Sequence, residues 1–165
     1  MTGVQTCALP ISYYCVYHDM TNAVIGDCVS GIGESAFLNC YNLSSVTIGS
    51  SVTTLDIDSF GNCALTSIDL PNSVQYIKSW AFELCYHLSS VTIPSGVTSI
   101  GSNAFYNCTS LSSITVLATT PPTLGGNAFQ NTNNATIYVP AASVNTYKEA
   151  SGWSNYASRI QAITS

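Results

Sequence analysis

Charge is what this chain has least of. Only 7% of its 165 residues are Asp, Glu, Lys or Arg, against about 25% in an ordinary soluble domain. Lys78, Lys148 and Arg159 are its only Lys or Arg residues, and they are scattered. Three isolated cations cannot neutralise a run of phosphates, which excludes nucleic-acid binding. The same shortage excludes a basic amphipathic helix lying on a membrane. No apolar run approaches the ~20 residues of a membrane span, so insertion is not expected either. No C-x-x-C occurs, which leaves a zinc ribbon or dithiol redox motif unsupported. No G-x-S-x-G marks a serine nucleophile, so abundant serine does not point to a hydrolase.

What is present is hydrophobic and evenly spread: 46% of residues are apolar, too many for a disordered chain. They recur with a period. The five phenylalanines, Phe37, Phe60, Phe82, Phe105 and Phe129, are spaced 23, 22, 23 and 24. Each follows Ala or Ser, and the first four are followed three residues later by Cys40, Cys63, Cys85 and Cys108. Alternating pairs come next: Val46/Ile48, Ile68/Leu70, Val91/Ile93, Ile114/Val116 and Ile137/Val139. A further pair follows in the earlier units, as in Val52/Leu55, Val74/Ile77 and Val97/Ile100.

Alternation such as Ser90-Val91-Thr92-Ile93 is the pattern of a half-buried strand. Pro71, Pro94 and Pro140 end such strands. A unit of this size cannot bury its own apolar face, whereas stacked units bury a continuous one. The expected fold is a solenoid of about five ~23-residue units with a parallel sheet, like residues lining up in internal columns.

The segment C-x-x-L-x-x-V-x-I, as in Cys85, Leu88, Val91 and Ile93, fits the apolar spacing of a leucine-rich repeat. Stretches such as IGESAFLNCYNLSSVTIGSSVTTL and SWAFELCYHLSSVTIPSGVTSIGSNAFYNC resemble the BspA-like class of leucine-rich repeats on bacterial surface proteins. The likeness covers residues ~25 to 139. Unit two departs by one residue fewer between Cys63 and Leu65, and by Leu55-Asp56-Ile57 in place of Ile-Gly. The last unit has Thr132 for the cysteine and inserts Pro121-Pro122.

Outside the repeats, residues 140–165 read as a C-terminal cap, with a short helix over Ala141 to Ser151 stopped by Gly152. Val144, Tyr147 and Ala150 share one face of it. Trp153 is expected as a lid on the last unit rather than a ligand-binding aromatic. Residues 1–11, MTGVQTCALPI, resemble a translated sequencing adapter and are expected to be non-native. Residues 12–139 then form the solenoid, its first unit truncated, as the tail of a longer protein. A stack uncapped at its N-terminal side is expected to self-associate through open strand edges.

The repeat cysteines are expected to be reduced core thiols, since parallel Cβ vectors in a column make poor disulfide geometry. Asp56, Asp58 and Asp69 are read as a solvated acidic patch rather than a Ca²⁺ site. His87, in a variable slot shared with Asn42 and Ser110, is expected at the surface; His18 lies in the irregular start. No catalytic, metal or cofactor site is expected.

The residues between the buried strand pairs make the candidate contact face: Ser45, Thr47, Ser67, Asp69, Ser90, Thr92, Ser113, Thr115, Thr136 and Tyr138. In a leucine-rich repeat these positions line the concave sheet. Five strands would make a ladder ~20 Å wide, rigid, hydroxyl-rich and nearly uncharged. Such a surface suits many weak polar contacts, and equally suits a face that is merely kept soluble. The resemblance implies a non-catalytic, adhesin-like module at the cell surface or secreted. Its partner would be a host or neighbouring-cell surface protein or a glycan. A structural spacer, or an accessory domain of a larger surface protein, is the alternative.

Overall fold

The computed structural model describes residues 19–164, so the readings of residues 1–11 and His18 lie outside the described residues. Most units lay down a longer strand and, after a turn, a strand of two residues. The longer strands are β1 (Asn22–Ile25), β3 (Ser45–Ile48), β6 (Ser90–Ile93), β8 (Ser113–Val116) and β10 (Thr136–Val139). The short ones are β2 (Gly31–Ile32), β4 (Thr54–Leu55), β5 (Tyr76–Ile77), β7 (Ser99–Ile100) and β9 (Thr123–Leu124). The short strands form one unbroken parallel sheet, β2-β4-β5-β7-β9. This second sheet comes from the Val/Ile pairs that follow each longer strand.

The longer strands do not make one ladder. β1 pairs only with β3, while β6, β8 and β10 form a separate sheet completed by β11 (Ile160–Ala162). Between them, the chain at 67–70 contributes a single bridge, Asp69 to Thr92. The expected five-strand ladder is therefore interrupted at unit two. That unit spans the same path with one residue fewer between Cys63 and Leu65, and its strand loses register with β3.

Inside, alternation is obeyed. β3 and β6 each bury their second and fourth residues and expose the others. The five phenylalanines stack, with centroids 5.2, 5.4, 5.1 and 5.6 Å apart and ring planes within 24° of parallel. A rung spacing of ~4.8 Å imposes this offset stack, the favoured arrangement for aromatic faces, worth ~0.5–1.5 kcal/mol per pair beyond burial.

A third ladder runs beside the phenylalanines and was not apparent from the sequence. Phe37, Phe60, Phe82 and Phe105 each donate their N–H to the carbonyl of Ser59, Ala81, Ala104 or Ala128 in the next unit, at 2.8–2.9 Å. The residues two before and two after each phenylalanine do likewise: Trp80 to Ser102 and Leu84 to Tyr106 in unit three. These flanking residues have left-handed backbones, with φ between 55° and 63° at Ser35, Asp58, Trp80 and Asn103, and at Asn39, Asn62, Leu84 and Asn107. Short polar residues, asparagine above all, tolerate that conformation best. Asparagine also uses it: Asn62 donates to Asn39 at 3.0 Å and Asn131 to Asn107 at 2.8 Å. Leu84 stands between the two pairs.

The turn into this segment is equally tight. A Cβ on Gly101 or Gly125 would lie 2.3 Å from the backbone nitrogen of Ser79 or Ser102. Glycine is required there by the closeness of the neighbouring rung.

At the C-terminal end the cap reproduces what a further unit would offer. Its helix, α1 (Val144–Glu149), is shorter than expected, and is preceded and followed by 3-10 turns at Ala141–Ser143 and Trp153–Arg159. Trp153 is fully buried, 5.8 Å from the Phe129 ring and edge-on to Tyr147 at 4.9 Å. The Tyr156 hydroxyl accepts the Phe129 N–H at 3.2 Å, the bond that a next unit's carbonyl would take. Arg159 donates to the carbonyls of Ala135 and Phe129 and to the Thr132 hydroxyl. Then β11 pairs with β10, Ile160 opposite Ile137, 23 residues on. The cap thus ends as one more rung.

Candidate functional site

The strand pairing arranges the candidate contact residues into rows. Thr92 lies opposite Thr115, and Thr115 opposite Tyr138. Asp69 joins one end through its bridge to Thr92, and Gln161 joins the other opposite Tyr138. The row Asp69–Thr92–Thr115–Tyr138–Gln161 spans four gaps, ~19 Å. A parallel row, Ser90–Ser113–Thr136, runs beside it. Ser90, Thr92 and Asp69 are exposed, while Ser113, Thr115, Thr136 and Tyr138 are half-buried.

Three expected members fall elsewhere. Ser45 and Thr47 are exposed, but they belong to the separate pair β1–β3, opposite Asn22 and Val24. Ser67 is exposed and has no ladder partner among the described residues. Gln161 is the member that sequence reasoning missed. The signal was there, since Ile160-Gln161-Ala162 follows Ile137-Tyr138-Val139 at the repeat interval.

The row has a reason to be rigid. The rungs are tied by backbone bonds, and the β6 and β8 rungs also by a hydroxyl that reaches back one unit. Ser89 donates from Oγ to Thr66 O at 3.2 Å, and Ser112 to Ser89 O at 3.1 Å. Side chains that do this lie at the strand entrance, leaving the row residues free to present hydroxyls outward.

The short-strand sheet carries a second set of departures, concentrated in unit three. Its outward positions are Gly31, Thr54, Tyr76, Ser99 and Thr123, with Tyr76 41% exposed among small neighbours. Lys78 sits over the Tyr76 ring at 5.5 Å. Trp80, 39% exposed, occupies a left-handed position held in other units by Ser35, Asp58, Asn103 and Asn127.

The acidic residues divide between the faces. Asp69 is on the hydroxyl row, whereas Asp58 lies near Glu34 and Glu83 on the other side of the unit. Partial burial, with Glu34 nearby, raises the Asp58 carboxyl above its ordinary range. Partial burial and Asp58 do the same to Glu83. Asp56 is spent on its neighbour, accepting the Ile57 N–H at 2.8 Å. Among the described residues no group of three His, Cys, Asp or Glu side chains is placed to hold a metal ion. His87 is exposed.

The cysteine column corrects one expectation. Cys63, Cys85 and Cys108 are free, buried thiols that donate to the carbonyls of Phe37, Phe60 and Phe82, at 3.1, 3.2 and 3.1 Å. Burial raises all three, Cys85 to about 12. Cys40, however, is disulfide-bonded, as is Cys28. The unfavourable alignment of Cβ vectors applies only between members of one column. It does not constrain a bond to a partner outside it.

Comparison with known proteins agrees with this architecture. The family model for a BspA type leucine-rich repeat region matches residues 11–136 in six copies. The chain matches no curated protein. Among solved structures it is similar to the leucine-rich repeat protein of T. pallidum, with 26% identity and a TM-score of 0.67 over 83% of this chain and 61% of that one. It is also similar to a leucine-rich cell surface protein of Faecalibacterium prausnitzii A2-165, with 29% identity and a TM-score of 0.61 over 84% of this chain and 42% of that one. The chain thus spans less than two thirds of either. No helix among the described residues is long and apolar enough to cross a membrane.

Proposed function

Because the chain belongs to the BspA-type leucine-rich repeat family, we propose that it is a non-catalytic binding module of a cell-surface or secreted protein. Its contact face is the pair of outward rows on β6, β8, β10 and β11, and its partner is a host or neighbouring-cell protein or a glycan. The observation that carries this reading is the register: Asp69, Thr92, Thr115, Tyr138 and Gln161 stand at one strand position on successive rungs. A row of hydroxyl, carboxylate, phenol and amide groups at ~4.8 Å spacing suits an extended partner that makes one polar contact per rung. Fixed backbones lower the ordering cost of such weak contacts. The similarity to a cell surface protein of F. prausnitzii supports the location.

The test is joint substitution of Asp69, Thr92 and Tyr138 by alanine, followed by capture from a panel of immobilised host surface proteins and glycans. The binding reading expects the wild type to capture a panel member and the triple variant to lose it, with the melting temperature nearly unchanged. No capture by the wild type from any panel member would favour a structural spacer instead.

A further inference from the structure

The Pro121-Pro122 insertion of the last unit builds a cleft that is separate from the hydroxyl rows. Between β8 and β9 the chain runs through Leu117 to Pro122, longer than the matching segment between β6 and β7, and its bulge lies against the turn at 95–98. The cleft has a volume of about 290 Å³, just under the ~300–1,000 Å³ of ordinary ligand pockets, which limits it to a ligand about the size of one sugar ring.

Its walls are uncharged. No ionisable side chain lines it. Ser95, Thr119 and Thr120 bring hydroxyls that make no hydrogen bond within the described residues, so each can both donate and accept. The Thr98 hydroxyl donates to Gln75 O at 3.3 Å, which leaves its lone pairs to accept. Pro121 and Pro122 add a rigid apolar surface.

The loop is also held still. Ser143 donates to Thr119 O at 2.8 Å, the Tyr147 hydroxyl to Ala118 O at 2.8 Å, and Trp153 Nε1 to Pro122 O at 2.7 Å. Three cap side chains thus satisfy the carbonyls of the bulge from behind. The hydroxyls in front are preorganised, which reduces what a ligand must spend on ordering them.

We infer that this cleft binds one neutral pyranose unit of a glycan. Apolar Pro121 meets the C–H face of the ring, with buried Pro122 behind it, and the hydroxyls of Ser95, Thr119 and Thr120 pair with its hydroxyls. The absence of any cation in the walls disfavours an acidic sugar, whose carboxylate would be desolvated without a partner. This site rests on the glycan branch of the binding reading and adds a second contact to it.

The test is titration of the ¹⁵N-labelled full chain with glucose, galactose, mannose and N-acetylglucosamine, with glucuronate as the anionic comparison. Amide shifts at 95–98 and 117–120, saturating in the millimolar range for at least one neutral sugar, are expected. Thr120→Val and Ser95→Ala keep the shape of these exposed positions, and each should weaken binding by ~3–10-fold, the worth of one neutral hydrogen bond. Unchanged affinity in both variants overturns the inference. So does binding of glucuronate as tight as the best neutral sugar, or no shift at these amides at about 50 mM of every sugar. Shifts confined to residues 90–92, 113–115 and 136–138 overturn the cleft while supporting the rows. Failure of the row variants to change partner capture bears on the rows alone.

Discussion

Replacing Ser59 with alanine should make the protein more stable. Ser59 is fully buried, and its Oγ is the one buried side-chain polar atom without a partner among the described residues. It occupies the column otherwise filled by Ala36, Ala81, Ala104 and Ala128, each at most 1% exposed. A hydroxyl taken from water and given no hydrogen bond costs ~1–3 kcal/mol. Alanine fits this column in four other units and removes that cost, so Ser59→Ala should gain ~1–2 kcal/mol. For a domain of this size that corresponds to a rise of ~2–8 °C in melting temperature. The converse change, Ala81→Ser, should cost a similar amount, because it places the same hydroxyl in the same buried column one rung on. Thermal unfolding followed by circular dichroism measures both. A Ser59→Ala variant no more stable than wild type, together with a neutral Ala81→Ser, would show that a hydroxyl in this column does find a partner.

Leu84→Asn should relieve a left-handed leucine at φ 58° and let the Asn39–Asn62 and Asn107–Asn131 pairs join into one ladder, raising stability by ~1 kcal/mol in urea unfolding. Trp80 shares this conformation at φ 57°, but most of its surface is buried, so Trp80→Asn should gain less than Leu84→Asn; a loss of stability in Leu84→Asn refutes the strain argument. Cys63, Cys85 and Cys108 are buried and raised, so native protein at pH 8 should leave all three unlabelled by iodoacetamide, with labelling only after denaturation. Asp58 and Glu83 have folded-state values above their unfolded ones, so the folded state binds their protons more readily. Stability should therefore rise as pH falls from neutral through the raised values toward the ordinary carboxylate range. Asp27, lowered by its bonds to Ser50, works in the opposite sense below that range. A melting temperature that is flat or falling between pH 7 and 5, in wild type and Asp58→Asn/Glu83→Gln alike, would contradict this.

Much of the fold was legible in the sequence, because a stack aligns like with like. Phenylalanine at intervals of 23, 22, 23 and 24 can satisfy its neighbours only by forming a column, and it does. Trp153 could be read as a lid because a column needs an end. Two-residue strands are too short to show alternation, so Thr54–Leu55 and Tyr76–Ile77 could be seen as apolar pairs but not as a sheet. The left-handed ladder was hidden because Asn39, Asn62, Asn107 and Asn131 resemble ordinary surface amides until the backbone places them in line. The missing residue of unit two was visible, but not its effect on pairing. The face rows were legible as residues but not as a continuous surface, since register decides that Ser45 and Thr47 stand apart and Gln161 joins.

That missing residue also has a mechanical meaning. Along the stack axis, the rungs at β6 and β8 are joined on both faces, β6 to β8 and β7 to β9, and β8, β10 and β11 are joined through the longer strands. Between units one and two, the long-strand face offers no ladder bonds, and the short strands, the phenylalanine stack and the ladder beside it carry the join. Pulled along this axis, the stack should part there first. The four-stranded block and its cap would stay whole, still presenting the rows and the cleft, while the leading unit opened as a yielding link.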